Sequence, residues 1–242
     1  MSVLLDIKYA CRLLVKSPKF TAMTLLVLIG GLSISLFTFS FIYSMVYKPI
    51  PLPEGATAKS VGVMYEGNYN FISAYEFDQV KYQVTSLAEF GVYDGRNIRI
   101  SVDQSGKNLF GNLVHDGFFE FSRTAPILGR TIQAEDTKVG AAPVAVISYK
   151  VWKNELGGDE NVLSRTMELN GEITPIIGVM PEGYHFPSSA QIWLPLSDDV
   201  FKVNAKDSAQ LFAYARLKEG KSLAQAELEL GQAINQVYQQ NV

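Results

Sequence analysis

Few side chains in this sequence of 242 residues have both the type and the spacing that site chemistry needs. The two histidines, His115 and His185, lie far apart in the chain, and neither has carboxylates at metal-ligand spacing. The only cysteine is Cys11, so no internal disulfide can form. Because zinc sites combine His, Cys and carboxylate ligands at short spacings, the sequence predicts no metal site.

Two pairs of adjacent carboxylates, Glu135-Asp136 and Asp198-Asp199, could be taken for a general acid and a general base. Neighbouring residues on a strand point to opposite faces, and adjacent acids in loops are usually solvated. The sequence contains neither the G-x-x-x-x-G-K-[ST] loop of P-loop ATPases nor the serine signatures G-x-S-x-G and S-x-x-K. We therefore predict no catalytic residue, no cofactor and no enzyme activity on this chain.

Three further features favour structure over ligand binding. Gly157-Gly158 resembles a phosphate loop but is better explained as the end of a helix. Trp152 and Trp193 are predicted to be core or interface residues and not ligand platforms. A domain without catalytic or metal-binding residues usually binds, transmits or scaffolds.

A long apolar run sets the context of the chain. No charged residue lies between Lys19 and Lys48, and about 20 apolar residues suffice to cross a bilayer. The run is longer than the apolar core of a signal peptide, typically about 7–15 residues, and no small-x-small cleavage site follows it. We predict a retained transmembrane helix over residues 20–47. Within it, Gly31 and Ser35 form a small-xxx-small pair that favours close packing of another helix.

The charges around this run predict its orientation. The net charge of −3 divides into +3 on residues 1–19 and −6 on the remainder. Basic residues before the span place the N-terminus in the cytoplasm and everything after Lys48 outside. The acidic outer part excludes nucleic acid as a partner, since that binding needs a basic face. Residues 1–19 are predicted to form a cytoplasmic amphipathic segment that contacts the lipid bilayer and breaks at Pro18, with apolar positions Leu4, Ile7, Cys11, Leu14 and Val15.

Residues 48–242 alternate strand and helix signals, which predicts an α+β domain. Ser73-x-x-Glu76 and Ser222-x-x-Gln225 are capping boxes that predict two helix starts, and Ser148 predicts a third. Asn170-Gly171 predicts a tight hairpin, in which Pro175 implies an edge or a bulge. Strands are predicted at 59–67, 190–196 and 211–217, and short β segments at 89–114 broken at Asp94-Gly95 and Ser105-Gly106. The β-rich middle is interpreted as inserted into a small α/β layer.

Several segments, in order along nearly the whole chain, resemble permeases of the MacB/FtsX-like ABC transporter family. They begin with "YACRLLVKSPKFTAMTLLVLIGGLSIS" and "KPIPLPEG", continue through "FFEFSRTAPILGRTIQAEDT", "IIGVMPEGYHFP" and "IWLPL", and end at "YARLKEGKSLAQAELELG". The resemblance implies one transmembrane helix followed by a periplasmic core domain, with a porter-like α/β subdomain and an inserted β-rich subdomain.

The resemblance also implies partners and a location. Such permeases work as homodimers or heterodimers with a cytoplasmic ABC ATPase subunit, in the bacterial inner membrane, and transmit ATPase-driven motion to the periplasmic side. Partners there could include a periplasmic adaptor or a lipoprotein, and relatives serve efflux, lipoprotein extraction or cell-wall regulation. The family's later spans and its ATPase-contacting segment do not occur before Val242. A portion of a larger permease and a truncated gene therefore both stay open.

Two other classes stay open at this stage. The first is a single-span membrane protein whose outer domain is a free-standing binding or sensor module. The second is an enzyme, which would require hydrolase activity that depends on one of the carboxylate pairs.

Overall fold

The computed structural model describes residues 9, 12, 14–46, 50–65, 68–102, 105–187 and 189–240. The chain divides into two units, Met1–Pro49 and Ile50–Val242. Each unit is described by itself below.

The first unit contains one long apolar helix in its described part, α1 (Pro18–Val46). A helix of 29 residues extends about 43 Å at 1.5 Å per residue, against about 30 Å for the hydrocarbon of a bilayer. By length and composition α1 can cross a membrane, and it overlaps the predicted span. The helix is interrupted at Ser17, directly before Pro18, as predicted. Leu14 and Val15 are helical and exposed, whereas Leu4, Ile7 and Cys11 lie outside the described residues.

The second unit mixes short helices with many strands. The described helices are α2 (Ala74–Val80), α3 (Phe118–Ser122), α4 (Ala134–Thr137), α5 (Tyr149–Glu155) and α6 (Leu223–Gln240), with 3₁₀ helices at Val162–Ser164 and Asp198–Phe201. The strands before α3 are β1 (Ala58–Val61), β2 (Val63–Tyr65), β3 (Asn68–Asn70), β4 (Ile72–Ser73), β5 (Leu87–Val102) and β6 (Ser105–Val114). The later strands are β7 (Leu128–Gly129), β8 (Ala145–Ile147), β9 (Thr166–Leu169), β10 (Glu172–Val179), β11 (Ile192–Pro195) and β12 (Gln210–Leu217).

Most of these strands form one sheet, which closes on itself at one end. Its order is β1-β12-β5-β6-β11-β8-β10-β7, and β9 pairs both with β10 and with β5. The pairings β5-β6-β11-β8-β10-β9 therefore return to β5 and make a small barrel (the barrel below). Closure removes the free strand edges that an inserted β-rich segment would otherwise expose. At the other end, β1, β12 and the first half of β5 form an open layer.

One strand, β5, belongs to both parts. Its first half pairs with β12 and its second half with β6 and β9. The predicted break at Asp94-Gly95 is wrong, because these residues pair in register with Leu113 and Asn112 inside the continuous β5–β6 ladder. Gly95 lies in a strand and not in a turn, and its lack of a side chain leaves room for the Phe110 ring. A Cβ at Gly95 would lie 3.1 Å from that ring. The chain reverses between Val102 and Ser105, where β6 begins.

Three buried clusters follow this division. The open layer packs against α2 and α6 through residues from both ends of the unit, including Phe77, Leu211 and Ile234. The barrel has a separate aliphatic core, with Ile100 and Ile192. An aromatic cluster around α3 includes Phe118, Phe121, Phe186, Tyr93 and Trp193. A core built from both chain ends and a core built from the middle confirm the α+β prediction with an inserted β-rich part.

Local signals in the sequence are confirmed where the structure describes them. Ser73 and Glu76 form the capping box of α2, Ser222 and Gln225 that of α6, and Ser148 caps α5. Asn170 and Gly171, both at positive φ, join β9 to β10. Pro175 in β10 is exposed and lies next to the register shift between Ile176 and Gly178. The predicted strand 59–67 is divided at Gly62 into β1 and β2.

A carboxylate fastens α6 to the start of β5. Glu229 accepts hydrogen bonds from the Ser86 hydroxyl (2.6 Å) and backbone N–H (2.9 Å) and lies within 3.3 Å of the Thr85 hydroxyl. The Ser86 hydrogen bonds lower the pKa of Glu229. A depressed carboxylate pKa means that the charged form stabilises the fold and that this contribution is lost as the pH falls through that pKa.

We predict that Glu229→Gln lowers the thermal unfolding midpoint of the full chain at pH 7, because the amide is a weaker acceptor. The difference from the parent protein is full above the usual glutamate pKa of 4.5 and shrinks below it. Thermal melts in detergent followed by tryptophan fluorescence measure this. Glu227→Gln, an exposed site on the same helix, is the control; an equal loss in both variants would contradict the role of Glu229.

Candidate functional site

The candidate site lies where the chain enters the second unit. Residues 50–57 form a compact series of turns between α1 and β1, with backbone hydrogen bonds from Leu52 to Ile50, from Gly55 to Leu52 and from Thr57 to Glu54. A Cβ at Gly55 would lie 1.9 Å from the Ile50 carbonyl oxygen. Only glycine therefore allows this turn to close so tightly.

The side chain that holds this segment is Arg216 of β12, which is 2% exposed. Its guanidinium donates to the carbonyl oxygens of Pro53 (2.8 Å) and Glu54 (2.9 Å) and to the Thr57 hydroxyl (2.9 Å). It also donates twice to the carbonyl oxygen of Phe121 in α3, at 2.8 and 3.1 Å. All five N–H donors of an arginine are thus used. We call Arg216 with these partners the arginine junction.

A network of ion pairs surrounds the junction. Arg123 donates to Glu89 at 2.6 and 3.0 Å and also pairs with Glu54. Arg216 Nε lies 3.2 Å from Glu89 Oε2. Hydrogen bonding to Arg123 lowers the pKa of Glu89, whereas burial, followed by repulsion from Arg123, lowers the pKa of Arg216. The buried charge of Arg216 is therefore compensated by the carbonyl oxygens and carboxylates that surround it.

The backbone is strained at three members of this network. Glu54, Glu89 and Arg123 have φ values of 52°, 49° and 51°. Residues with a Cβ enter this left-handed region at a cost of roughly 1–2 kcal/mol each. In the described residues, only Asn170 and Ser189 are other non-glycine examples. Such strain concentrates where function and not stability selects the conformation.

Sequence reasoning missed Arg216, although a signal was present. β12 alternates Leu211, Ala213 and Ala215 toward the helices with Phe212, Tyr214 and Arg216 on the opposite face. An arginine that continues an aromatic row within an alternating strand is a candidate for burial with a dedicated partner. The guanidinium carbon of Arg216 lies 5.1 Å from the centre of the Phe121 ring.

The acids singled out in the sequence take structural partners. Asp136 accepts from Arg130 at 2.5 and 2.9 Å and caps the start of α4, while Glu135 reaches only Lys138 at 3.9 Å. Asp198 contacts His115, and Asp199 is exposed. In the described parts of the chain, no three His, Cys, Asp or Glu side chains are placed to hold a metal ion.

The remaining candidates are distributed over other sites. His115 and His185 line different cavities, of about 310 and 300 Å³. Trp152 and Trp193 are buried and donate to the carbonyl oxygens of Asp159 and Phe186. Gly157 and Gly158 adopt positive φ directly after α5, as expected of a helix end.

Comparison with known proteins decides what kind of domain carries this junction. The sequence profile of MacB-like periplasmic core domains matches residues 21–233. The chain belongs to this family. A search of curated proteins found no match.

Two solved structures have the same fold. The periplasmic region of MacB from Actinobacillus actinomycetemcomitans aligns with a TM-score of 0.58 at 13% identity, covering 74% of this chain and 83% of that one. The extracellular domain of the noncanonic ABC-type transporter YknZ from Gram-positive bacteria aligns with a TM-score of 0.56 at 12% identity, covering 75% and 94%. The chain thus carries a MacB-like periplasmic core domain, and the apolar helix near its N-terminus fits a membrane anchor. The family is one of periplasmic core domains and not of ATPases.

We predict that Arg216→Leu lowers the free energy of unfolding by about 3 kcal/mol or more. The buried Phe121 carbonyl oxygen and the partly buried acceptors of residues 53, 54 and 57 lose their donor together, and a buried acceptor without a donor costs about 1–3 kcal/mol. Arg216→Lys should lose less, because an ammonium keeps the charge but cannot reach three segments at once. Urea unfolding of the full chain in detergent measures both. The control is Arg96→Leu, at a side chain that is 61% exposed, which should change the free energy of unfolding by less than about 0.5 kcal/mol. An equal loss in Arg96→Leu and Arg216→Leu would contradict the stabilising role of the arginine junction.

Proposed function

We propose that this chain is the N-terminal portion of an ABC transporter permease subunit whose outer domain transmits ATPase-driven motion and binds a partner or substrate outside the membrane. The observation that carries the proposal is the arginine junction. It connects the first turns after α1 to the central strand β12 and to α3 through hydrogen bonds of one buried side chain. A displacement of residues 50–57 therefore has a short, polar path into the sheet.

The path continues from β12 into the barrel. β12 pairs with the first half of β5, and the second half of β5 is a barrel strand. Because hydrogen-bonded strands resist sliding better than loops do, movement at residues 50–57 would reach the barrel without crossing a flexible connection. Glu229 fastens α6 to the residues that precede the same β5.

The proposed partners follow from the family. A cytoplasmic ABC ATPase subunit supplies the energy, and a permease homodimer or heterodimer forms the membrane part. The outer domain would face the periplasm, with the N-terminus of the chain in the cytoplasm and α1 in the inner membrane. A periplasmic adaptor or lipoprotein is the class of partner that we propose for the outer surface.

Copurification tests the assignment. The protein, extracted from source membranes with an antibody against the outer domain, should carry an ABC ATPase in stoichiometric amount. A monomeric protein that reproducibly lacks an ATPase would instead support the single-span binding or sensor module.

The junction itself is tested in the permease reconstituted with that ATPase. Spin labels on Tyr82, in the turn after α2, and on Ile173, in the barrel strand β10, occupy exposed positions and should report a distance change on addition of ATP and Mg²⁺. Thr57→Val removes one acceptor of Arg216 and should reduce this change while ATP hydrolysis continues. Thr124→Val is the matched control, since that hydroxyl donates only to the Ser122 carbonyl oxygen; a change that persists undiminished in Thr57→Val would refute transmission through the junction.

A further inference from the structure

His115 lies where two barrel strands end side by side. β6 and β11 run parallel and finish at Val114 and Pro195, which are register partners. The residue after β6 is His115, and β11 leads into the 3₁₀ helix Asp198–Phe201. The imidazole packs edge-on against Phe201, with ring centroids 4.6 Å apart. This 3₁₀ helix connects the barrel to β12, the strand that carries Arg216.

Both ring nitrogens of His115 face carboxylate oxygens. Nδ1 lies 2.5 Å from Asp116 Oδ1, and Nε2 lies 3.2 Å from Asp198 Oδ1. A neutral imidazole has one N–H, whereas an imidazolium has two. Only the imidazolium can donate to both carboxylates. A neutral ring that donates to Asp116 at the shorter contact turns a lone pair toward Asp198.

The other charged groups around the ring do not offer an alternative switch. The cavity that His115 lines is also lined by four other charged residues: Asp78 on α2, Lys81 directly after α2, Lys138 after α4 and Lys202 after the 3₁₀ helix. Lys81 already pairs with Asp78 at 2.9 Å. Carboxylates and amines ordinarily change charge outside the interval from about pH 5 to 8, in which imidazole changes charge.

We propose that His115 is a pH-dependent latch: the protonated ring ties the 3₁₀ helix Asp198–Phe201 to the end of β6, and loss of one ring proton releases Asp198. The released helix would loosen the connection between the barrel and β12. The latch has a lower limit as well, because hydrogen bonding to His115 lowers the pKa of Asp116. The contribution of Asp116 is full above the usual aspartate range and is lost as the pH falls through the lowered pKa. This proposal does not depend on the identity of an ATPase or a substrate.

The test uses a nitroxide label on the connector in the full chain, in detergent. Asp199→Cys places the label at an exposed position, and Cys11→Ser removes the native thiol. Spectra at pH 5.5 and pH 8.0 should show a shift toward the mobile component at the higher pH. Since the chain has two histidines, His185→Gln is the matched control and should keep the shift. His115→Gln, which cannot change charge, should abolish it.

Two outcomes overturn the proposal: a shift of the same size in His115→Gln, or the absence of any shift in the parent protein. Where His115→Gln fails to fold, ¹⁵N spectra of ring-labelled histidine decide the question in the parent protein. The latch requires two protonated nitrogens on His115 at the lower pH and one at the higher pH. One protonated nitrogen at both pH values would overturn the latch equally.

Discussion

The second unit depends on the need to satisfy one buried positive charge. Arg216 is almost fully buried. An unpaired guanidinium at such a position would strongly destabilise the fold, because its charge would be removed from water without compensation. The protein places the carbonyl oxygens of Pro53, Glu54 and Phe121 around it. This requirement fixes the path of residues 50–57 and the position of α3 at the same time. Left-handed φ values at Glu54, Glu89 and Arg123 are consistent with a backbone bent to meet it.

The second constraint is the sharing of β5 between two cores. A strand that pairs with β12 at one end and closes the barrel at the other cannot move in one part without the other. The barrel closes through six pairings and has no free edge among them, whereas the open layer ends at β1. His115, at the end of β6, and Asp198, in the segment that leads from β11 to β12, contact each other between the two parts.

Local chemistry made much of the fold predictable. Capping boxes at Ser73 and Ser222 and the Asn170-Gly171 turn each depend on residues within a few positions of one another, and the structure contains all three. The turn predicted at Asp94-Gly95 was wrong because glycine also occurs where side chains pack closely. The Phe110 ring lies where a side chain at position 95 would extend. The barrel closure through β9 and β5 depends on pairing between distant segments, which no local pattern encodes. The partners of Arg216 and the contact between His115 and Asp198 could not be predicted for the same reason, since they join segments that are remote in sequence.

The central claim is that one guanidinium holds two separate segments, and amide hydrogen exchange tests it most directly. In the full chain in detergent, Arg216→Lys should speed exchange in residues 50–58 and in α3 together, while α6, which Glu229 fastens independently, keeps its protection. Faster exchange confined to β12, with residues 50–58 and α3 as protected as in the parent protein, would contradict the account.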